Sequence, residues 1–497
     1  MNARIPAALV ALMACGGGAA TTTPVTTPPD PRAAVFVHLF EWRWTDIARE
    51  CEEYLGPAGF TGLQISPPSE HAVLAGAPWW QRYQTVGYSV EQSRGGTGDE
   101  FRAMVRRCAD AGVAIYVDAV INHMTAQPTG VGSAGTAYTK YAYGELYGAG
   151  DFHAPACAIA GADYTDDADR VRRCELLGLA DLDTGSERVR DRIAGYLTAL
   201  VDAGVRGFRI DAAKHLAPAD LDAIVARVPG KPYYFLEVID HGGEAISASE
   251  YLPIGQGAAT VDVTEFKYDV ADAFRGAAGR TPAALRTLGV AEPDMLPSDR
   301  AVVFVNNHDT QRASSLFYQD GAAYDLATAF MLTWPYGHPS LLSSYGFNRA
   351  TDAGRSAGPP AEAPDCAGAL APSTAKAGWL CEHRRPYVAR LLAFRAATAD
   401  APEVTDWWDD GGQAIAFGRG ANGFGKGFVA LNNGAAELRR TFTTSLPAGS
   451  YCDVYGGALA AGACSGARVQ VDAAGAAEIT VAPSSAIVLH VLQKETR

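Results

Sequence analysis

The chain has no apolar run long enough to cross a bilayer. Its longest, Ile5 to Ala14, is ten residues, about half of the ~20 that a spanning helix needs. It has no Cys-x-x-Cys pair and no Cys/His cluster at metal-ligand spacing, which argues against a structural zinc. No glycine-rich loop joins a strand to a helix, so the phosphate cradle of a dinucleotide-binding enzyme is missing. Positive charge is also scarce: 41 Lys+Arg stand against 55 Asp+Glu, a net −14, and such a field repels nucleic acid and anionic membrane surfaces. What is present suits a folded protein. Of 497 residues, 48% are apolar and 19% charged, enough for a sizeable core and, at ~150 residues per domain, for roughly three domains.

The N-terminal apolar run follows Arg4 and ends at Leu12-Met13-Ala14-Cys15, the layout of a secretory signal. Leu-x-Ala-Cys also resembles the bacterial lipobox, whose cysteine is acylated, so residues 1–15 are expected to be a signal and Cys15 a lipidation site. Residues 16–32 are Gly, Ala, Thr and Pro with almost no large apolar side chain, the composition of a disordered tether. Setting Cys15 aside leaves eight cysteines, an even number that an oxidising compartment can close into four bridges. Parity alone allows about 105 pairings.

Short β-branched runs then alternate with segments of helical period. Val35–Phe40, Gly62–Ile65, Val113–Val117, Gly207–Ile210, Tyr233–Leu236 and Ala301–Val305 read as buried strands. Phe101, Met104, Val105 and Cys108 fall at i, i+3, i+4 and i+7, as do similar sets at Ile193–Val201 and Leu221–Val228, giving helices with one apolar stripe. Such alternation predicts a parallel α/β sheet, and the lack of a dinucleotide loop favours a closed eight-stranded barrel over an open sheet. The barrel is expected over 33–124 and 174–400. Residues 125–173 lose the period and read as an irregular domain inserted after the third strand; 401–497 carry short alternating runs and read as an antiparallel β-sandwich.

Four chemistry-bearing segments lie at the C-terminal ends of predicted strands, where barrel enzymes place catalytic groups. In Gly207-Phe208-Arg209-Ile210-Asp211 the period of two puts Arg209 and Asp211 on one side, and the guanidinium favours an ionised, nucleophilic carboxylate. Glu237 ends an apolar run, Tyr233 to Leu236, so desolvation is expected to hold its proton. One ionised and one protonated carboxyl on neighbouring strands is the pairing used in glycoside cleavage. Asn307-His308-Asp309 and Asp118-Ala119-Val120-Ile121-Asn122-His123 add further carboxylates, amides and imidazoles. Trp79, Trp80 and Tyr83 offer flat rings suited to sugar faces.

Taken together, DAVINH from Asp118, GFRIDAAKH from Gly207, FLEV from Phe235 and VNNHD from Val305 resemble, in order and spacing, the four signature regions of the α-amylase family. HLFEWRW from His38, PWWQRYQ from Pro78, EFKYDV from Glu265, WLCEHR from Trp379 and AFGRG from Ala416 are similar to its animal and actinobacterial branch. The resemblance implies a (β/α)8 TIM barrel with an inserted domain after strand three and a C-terminal β-sandwich. It also implies retaining, endo-acting hydrolysis of α-1,4-glucosidic bonds by a monomer whose partner is an α-glucan. By position, Asp211 would be nucleophile, Glu237 acid/base and Asp309 the carboxylate that steadies the transition state. His123, His308 and Arg209 would hold the sugar, Tyr83 would stack beneath it, and Lys214 and His215 would serve the leaving-group side.

The family also implies a structural calcium ion, matched here by Asn122, Asp181 and the backbone carbonyls of Arg172 and His215. An all-oxygen set with one carboxylate suits that cation. Chloride is bound in related animal enzymes by two arginines and an asparagine; Arg209 and Asn307 match, but Ser340 replaces the second arginine, and little chloride activation is expected. The glycine-rich lid of the animal enzymes is replaced by Ala313-Ser314-Ser315-Leu316-Phe317. The implied bridges are Cys51–Cys108, Cys157–Cys174, Cys366–Cys381 and Cys452–Cys464. A transglycosylating or maltooligosaccharide-forming relative, and a non-catalytic glucan-capture protein, are the other readings of the same motifs.

Overall fold

The computed structural model describes residues 35–290, 295–313, 315–366, 373–421 and 423–495. The expected signal, tether and Cys15 lie outside them. Eight parallel strands close a barrel: β1 Phe36–Leu39, β2 Gly62–Ile65, β3 Ala114–Ala119, β4 Gly207–Ile210, β5 Tyr233–Leu236, β6 Thr260–Asp262, β7 Ala301–Val303 and β8 His338–Ser343. Each pairs with its neighbours in sequence, and β8 returns to β1. The strands are buried along nearly their whole length, because the barrel interior covers one face and helices the other.

Two of the eight carry no clear sequence signature. β6 is only three residues long. β8 contains Pro339, whose ring removes a ladder donor and argues against a central strand, yet Val302 pairs with His338 and Val303 with Pro339. The barrel supplies enough partners on either side to hold it. Gly207, at the start of β4, has a packing reason: a Cβ there would lie 2.7 Å from the Tyr116 ring and 2.9 Å from the Tyr233 carbonyl oxygen.

The helical stripes cover the barrel as their period requires. α1 spans Trp44–Glu50, α2 Gly98–Asp110, α3 Glu187–Asp202, α4 Pro218–Val225, α5 Thr264–Arg275, α6 Ala322–Thr333 and α7 Pro386–Ala397. In α2, Phe101, Met104, Val105 and Cys108 are buried and Thr97 with Glu100 closes a capping box at its start. After β3 the chain leaves the barrel. His123–Met124 pairs antiparallel with Ala180–Asp181, and between them lie a three-stranded sheet and two short helices, Asp163–Asp166 and Ala168–Arg173. Glu70 holds this excursion from below, its carboxylate accepting from the Ala134 and Thr136 N–H groups at 3.1 and 3.0 Å.

The C-terminal domain is a sandwich. One sheet pairs β9 Val404–Asp409, β10 Ala414–Arg419, β11 Gly427–Asn432 and β16 Ser485–His490. Against it pack the hairpin-like ladders of β12 Leu438–Thr443 with β15 Ala476–Val481 and β13 Gly449–Cys452 with β14 Arg468–Val471. Phe428, Ala430 and Leu489 meet Phe442, Val469 and Ile479 between them. The cysteines pair as Cys51–Cys108, Cys157–Cys174, Cys366–Cys381 and Cys452–Cys464.

Candidate active site

The C-terminal ends of β3, β4 and β5 converge on Arg209. Register places Arg209 beside Asp118 on one side and Phe235 on the other. Its Nη1 donates to Asp118 Oδ1 at 2.7 Å and to Asp211 Oδ1 at 2.6 Å, while its Nη2 pairs with Glu237 Oε1. Beyond Asp211 the chain enters the left-handed region at Ala212, with φ +51°, which directs the Ala212 N–H to Glu237 Oε2 at 2.8 Å. Three carboxylates from three strands are thus gathered by one planar cation, a task that the fork of five donors suits and a lysine would not.

Asp118 also accepts from the Tyr83 hydroxyl at 2.8 Å, so the tyrosine is fixed from the same cluster. The Tyr83 ring lies nearly parallel to His308, 5.2 Å between centroids and 6° between planes, and Trp79 meets both edge-on. Trp79 and Trp80 stand on a single 3-10 turn, Trp79–Tyr83, not on a strand. The Trp79 indole N–H donates to the Arg355 carbonyl at 3.0 Å. His123 Nε2 lies 3.2 Å from the Tyr83 carbonyl oxygen. Asp309 is half exposed, with His308 Nε2 3.2 Å from its Oδ2.

These groups line a cleft of about 980 Å³ that holds Trp79, Trp80, Tyr83, Asp211, Glu237 and Asp309 together with His123, Lys214, His215 and His308. That is room for several sugar rings. Its outer wall comes from the excursion, including Tyr164, Leu176 and Leu177, and from the loop after β5. Leu177 is 90% exposed and held at φ +53°, an apolar side chain presented to solvent at the rim. Lys214 pairs with Glu244 and donates to the Ile239 carbonyl; Glu244, two loops away in sequence, carries no motif signal.

The electrostatics differ from the sequence expectation. Arg209 serves both Asp211 and Glu237, so Glu237 does not sit in an apolar pocket: its carboxyl is ion-paired and hydrogen-bonded. Asp211 is the group that burial pushes well above the usual carboxylate range; Arg209 opposes this, and the charges of Glu237, Asp118 and Asp309 add to it. Asp118 is raised to about 6, first by burial, against Arg209 and Tyr83. Like charges crowded in a dry site resist full ionisation. Burial lowers His123 to about 4 and His308 further, so both rings are neutral donors or acceptors near pH 7.

Asn122 and Asp181 come together where the excursion leaves and rejoins the barrel. Asn122 Nδ2 is 3.4 Å from Asp181 Oδ1, and His153 Nδ1 is 2.6 Å from the other oxygen. His215 joins them through the helix Ala168–Arg173: its Nδ1 lies 2.9 Å from the Val171 carbonyl oxygen, one residue before Arg172. The Arg172 side chain points away, to Glu250 at 2.8 Å. A buried carboxylate and a buried amide oxygen beside the last turn of a helix form a donor set of the kind a hard cation takes. Among the described residues no group of three or more His, Cys, Asp or Glu gathers as a metal site. Asn307 is committed elsewhere, its Oδ1 accepting from the Asp309 and Thr310 N–H groups at 3.1 and 2.8 Å.

Residues 52–234 match the α-amylase catalytic domain, and residues 406–492 the α-amylase C-terminal all-β domain. An α-amylase of Tenebrio molitor is 43% identical over 467 residues, covering 90% of this chain and 94% of its own. The chain belongs to the α-amylase family. An α-amylase of the bacterium Thermomonospora curvata is likewise 43% identical, over 98% of this chain and 79% of its own. The solved structure of α-amylase I from Eisenia fetida superposes with a TM-score of 0.83 at 36% identity, covering 92% of this chain and 97% of that one. A mutant of that enzyme was solved with maltohexaose, at the same TM-score. Family membership accounts for the barrel, the excursion and the sandwich as one unit.

Proposed function

We propose that the chain is an endo-acting, retaining α-amylase whose reaction is carried by Asp211, Glu237 and Asp309. Hydrolysis of internal α-1,4-glucosidic bonds in starch, glycogen and maltooligosaccharides is the activity of its family. The observation that supports the assignment here is the convergence of Asp211 and Glu237 on one guanidinium at the floor of an aromatic-lined cleft. In the first step an Asp211 oxygen attacks the anomeric carbon while Glu237 gives its proton to the departing glycosidic oxygen, leaving a glycosyl ester on Asp211. Water, deprotonated by Glu237, then attacks the same carbon; the ester bond breaks and the sugar leaves with its original anomeric configuration. Asp309, half exposed in the same cleft, faces the sugar ring in this reading. Tyr83, with Trp79 and Trp80 at the rim, stacks on ring faces, while neutral His123 and His308 hydrogen-bond hydroxyls. Lys214 and His215 stand on the leaving-group side.

Asn122, Asp181 and the carbonyls of Arg172 and His215 would hold calcium. The ion would supply a fixed positive charge tying the excursion to the barrel. Export, with Cys15 as lipid attachment point, belongs to the same reading: the four disulfides suit an oxidising compartment. Chloride activation is not part of it, because Ser340 offers no charge and Asn307 is engaged in its own turn.

The test is proton NMR of maltoheptaose with the protein from Ala33 onward. Early α-anomer and short products support the reading, longer products than substrate would mean transfer, and no cleavage would leave glucan capture.

A further inference from the structure

Arg312 lies three residues past Asp309, in the turn Thr310–Arg312, and is 7% exposed. Its hydrogen bonds go to neutral groups. Nη1 donates to the His308 carbonyl oxygen, Nε to that of Arg355 at 3.1 Å and Nη2 to the Tyr345 hydroxyl at 3.0 Å. Four rings stand around this plane: the guanidinium carbon is 4.6 Å from the centroid of Phe347, 4.7 Å from Trp79, 5.4 Å from Phe40 and 5.6 Å from Tyr345, all within cation–π range. Of the four, Trp79 lines the substrate cleft.

The Trp79 contact is fixed twice. Its indole N–H donates to the same Arg355 carbonyl, at 3.0 Å, so one oxygen gives a lone pair to each partner and keeps the guanidinium over the ring. The main chain beneath is held independently. Arg94 Nη1 donates to the Ala77 and Pro78 carbonyls at 2.9 and 3.0 Å, and its Nη2 to that of Trp79 at 3.0 Å. Arg94 thus places the turn, and Arg312 is left to orient the ring.

We propose that Arg312 is a positioning residue for sugar stacking: with the Arg355 carbonyl it fixes the Trp79 indole, and through the His308 carbonyl it ties that ring to the turn that carries Asp309. This rests on the assignment of Trp79 as a stacking ring. The separation of the stacking ring from the catalytic carboxylates is then set by one side chain. A sugar that stacks on Trp79 arrives in register with Asp211, Glu237 and Asp309 without first having to order the ring. A lysine cannot replace it, because an ammonium has no flat face to lay on a ring and cannot reach three acceptors in fixed directions.

The experiment is steady-state kinetics on maltoheptaose with Arg312→Lys, Trp79→Ala and the double variant. Arg312→Lys is expected to raise KM about tenfold with kcat within about threefold of the parent, the mark of lost binding rather than lost chemistry. In the Trp79→Ala background the same change should add nothing, because the ring on which it acts is gone. Tyr345→Phe removes one acceptor of Arg312 and keeps the ring; it should raise KM about threefold, again only where Trp79 is present. Equal factors in both backgrounds, or a fall in kcat with KM unmoved, would overturn the proposal and reduce Arg312 to a prop for its loop. Trp79→Ala separates the two readings. If it leaves KM unchanged, the stacking assignment fails and the proposal with it; if it raises KM while Arg312→Lys and Tyr345→Phe do not, only the role of Arg312 falls.

Discussion

Two sets of buried arginine divide the molecule. At the mouth of the barrel Arg209 is surrounded by carboxylates, and burial notwithstanding, Asp118, Glu237 and Asp211 hold it firmly charged. Between the barrel and the sandwich, Arg395 and Arg419 meet backbone instead: Arg419 donates to the Ala401, Thr333 and Thr398 carbonyls, and Arg395 to those of Trp334 and Gly337. Burial pushes these two down, to about 9 and about 10, and the Arg395 charge adds to the effect at Arg419. Burial of a cation is thus no sign of chemistry. What separates the sites is the partner: carboxylates on an open cleft in one, carbonyls at a closed domain seam in the other.

The largest loss is expected at the catalytic end. Arg209→Lys should lower kcat by about 100- to 1000-fold, because an ammonium cannot span Asp211 and Glu237 while holding Asp118; steady-state kinetics on maltoheptaose measure it. Glu50 offers an intermediate case, an acid held by His383 at 2.7 Å and Arg384 at 2.6 Å. Burial raises its pKa, but those hydrogen bonds outweigh it and bring the value from 4.5 to about 2. A depressed carboxyl stabilises above its unfolded value and loses that contribution as pH falls from about 4.5 toward 2. That depression corresponds to roughly 3 kcal/mol. Urea melts across this range should show the loss in the parent and a flatter dependence in Glu50→Gln.

At the seam, Arg419→Met should lower stability by about 2 kcal/mol, since three carbonyls lose their donor, with kcat/KM within twofold of the parent. Calorimetry and kinetics together check that split. The smallest change belongs to Lys426, paired with Asp400 at 2.5 Å on the surface. Lys426→Ala should shift stability by less than about 0.5 kcal/mol.

The same division explains what the sequence could reveal. Arg209 and Asp211 were legible as neighbours because period two leaves no choice of side, and Glu237 because a strand ended on it. The seam arginines were not, since carbonyl partners leave no mark in a sequence. β6 and β8 escaped for physical reasons as well: the three residues of β6, Thr260, Val261 and Asp262, make no apolar run, and β8 carries a proline that a closed barrel tolerates. Asp118 was visible as a carboxylate at a strand end, but its hold on Tyr83 depends on a chain segment 35 residues away. Glu244 was invisible, being a lone acid placed by its loop path. The reading of Glu237 as an acid in apolar surroundings failed because sequence neighbours are not spatial neighbours; the groups that matter arrive from adjoining strands.

The bridge from Cys157 to Cys174 has a consequence for endurance. It joins cysteines 17 positions apart and encloses Gly161, Tyr164 and Thr165, part of the wall of the cleft. A protease that cut within this span would leave both new ends attached, one on each side of the sulfur link. The wall would stay beside the substrate after a single nick, and only a second cut inside the same ring would release a fragment.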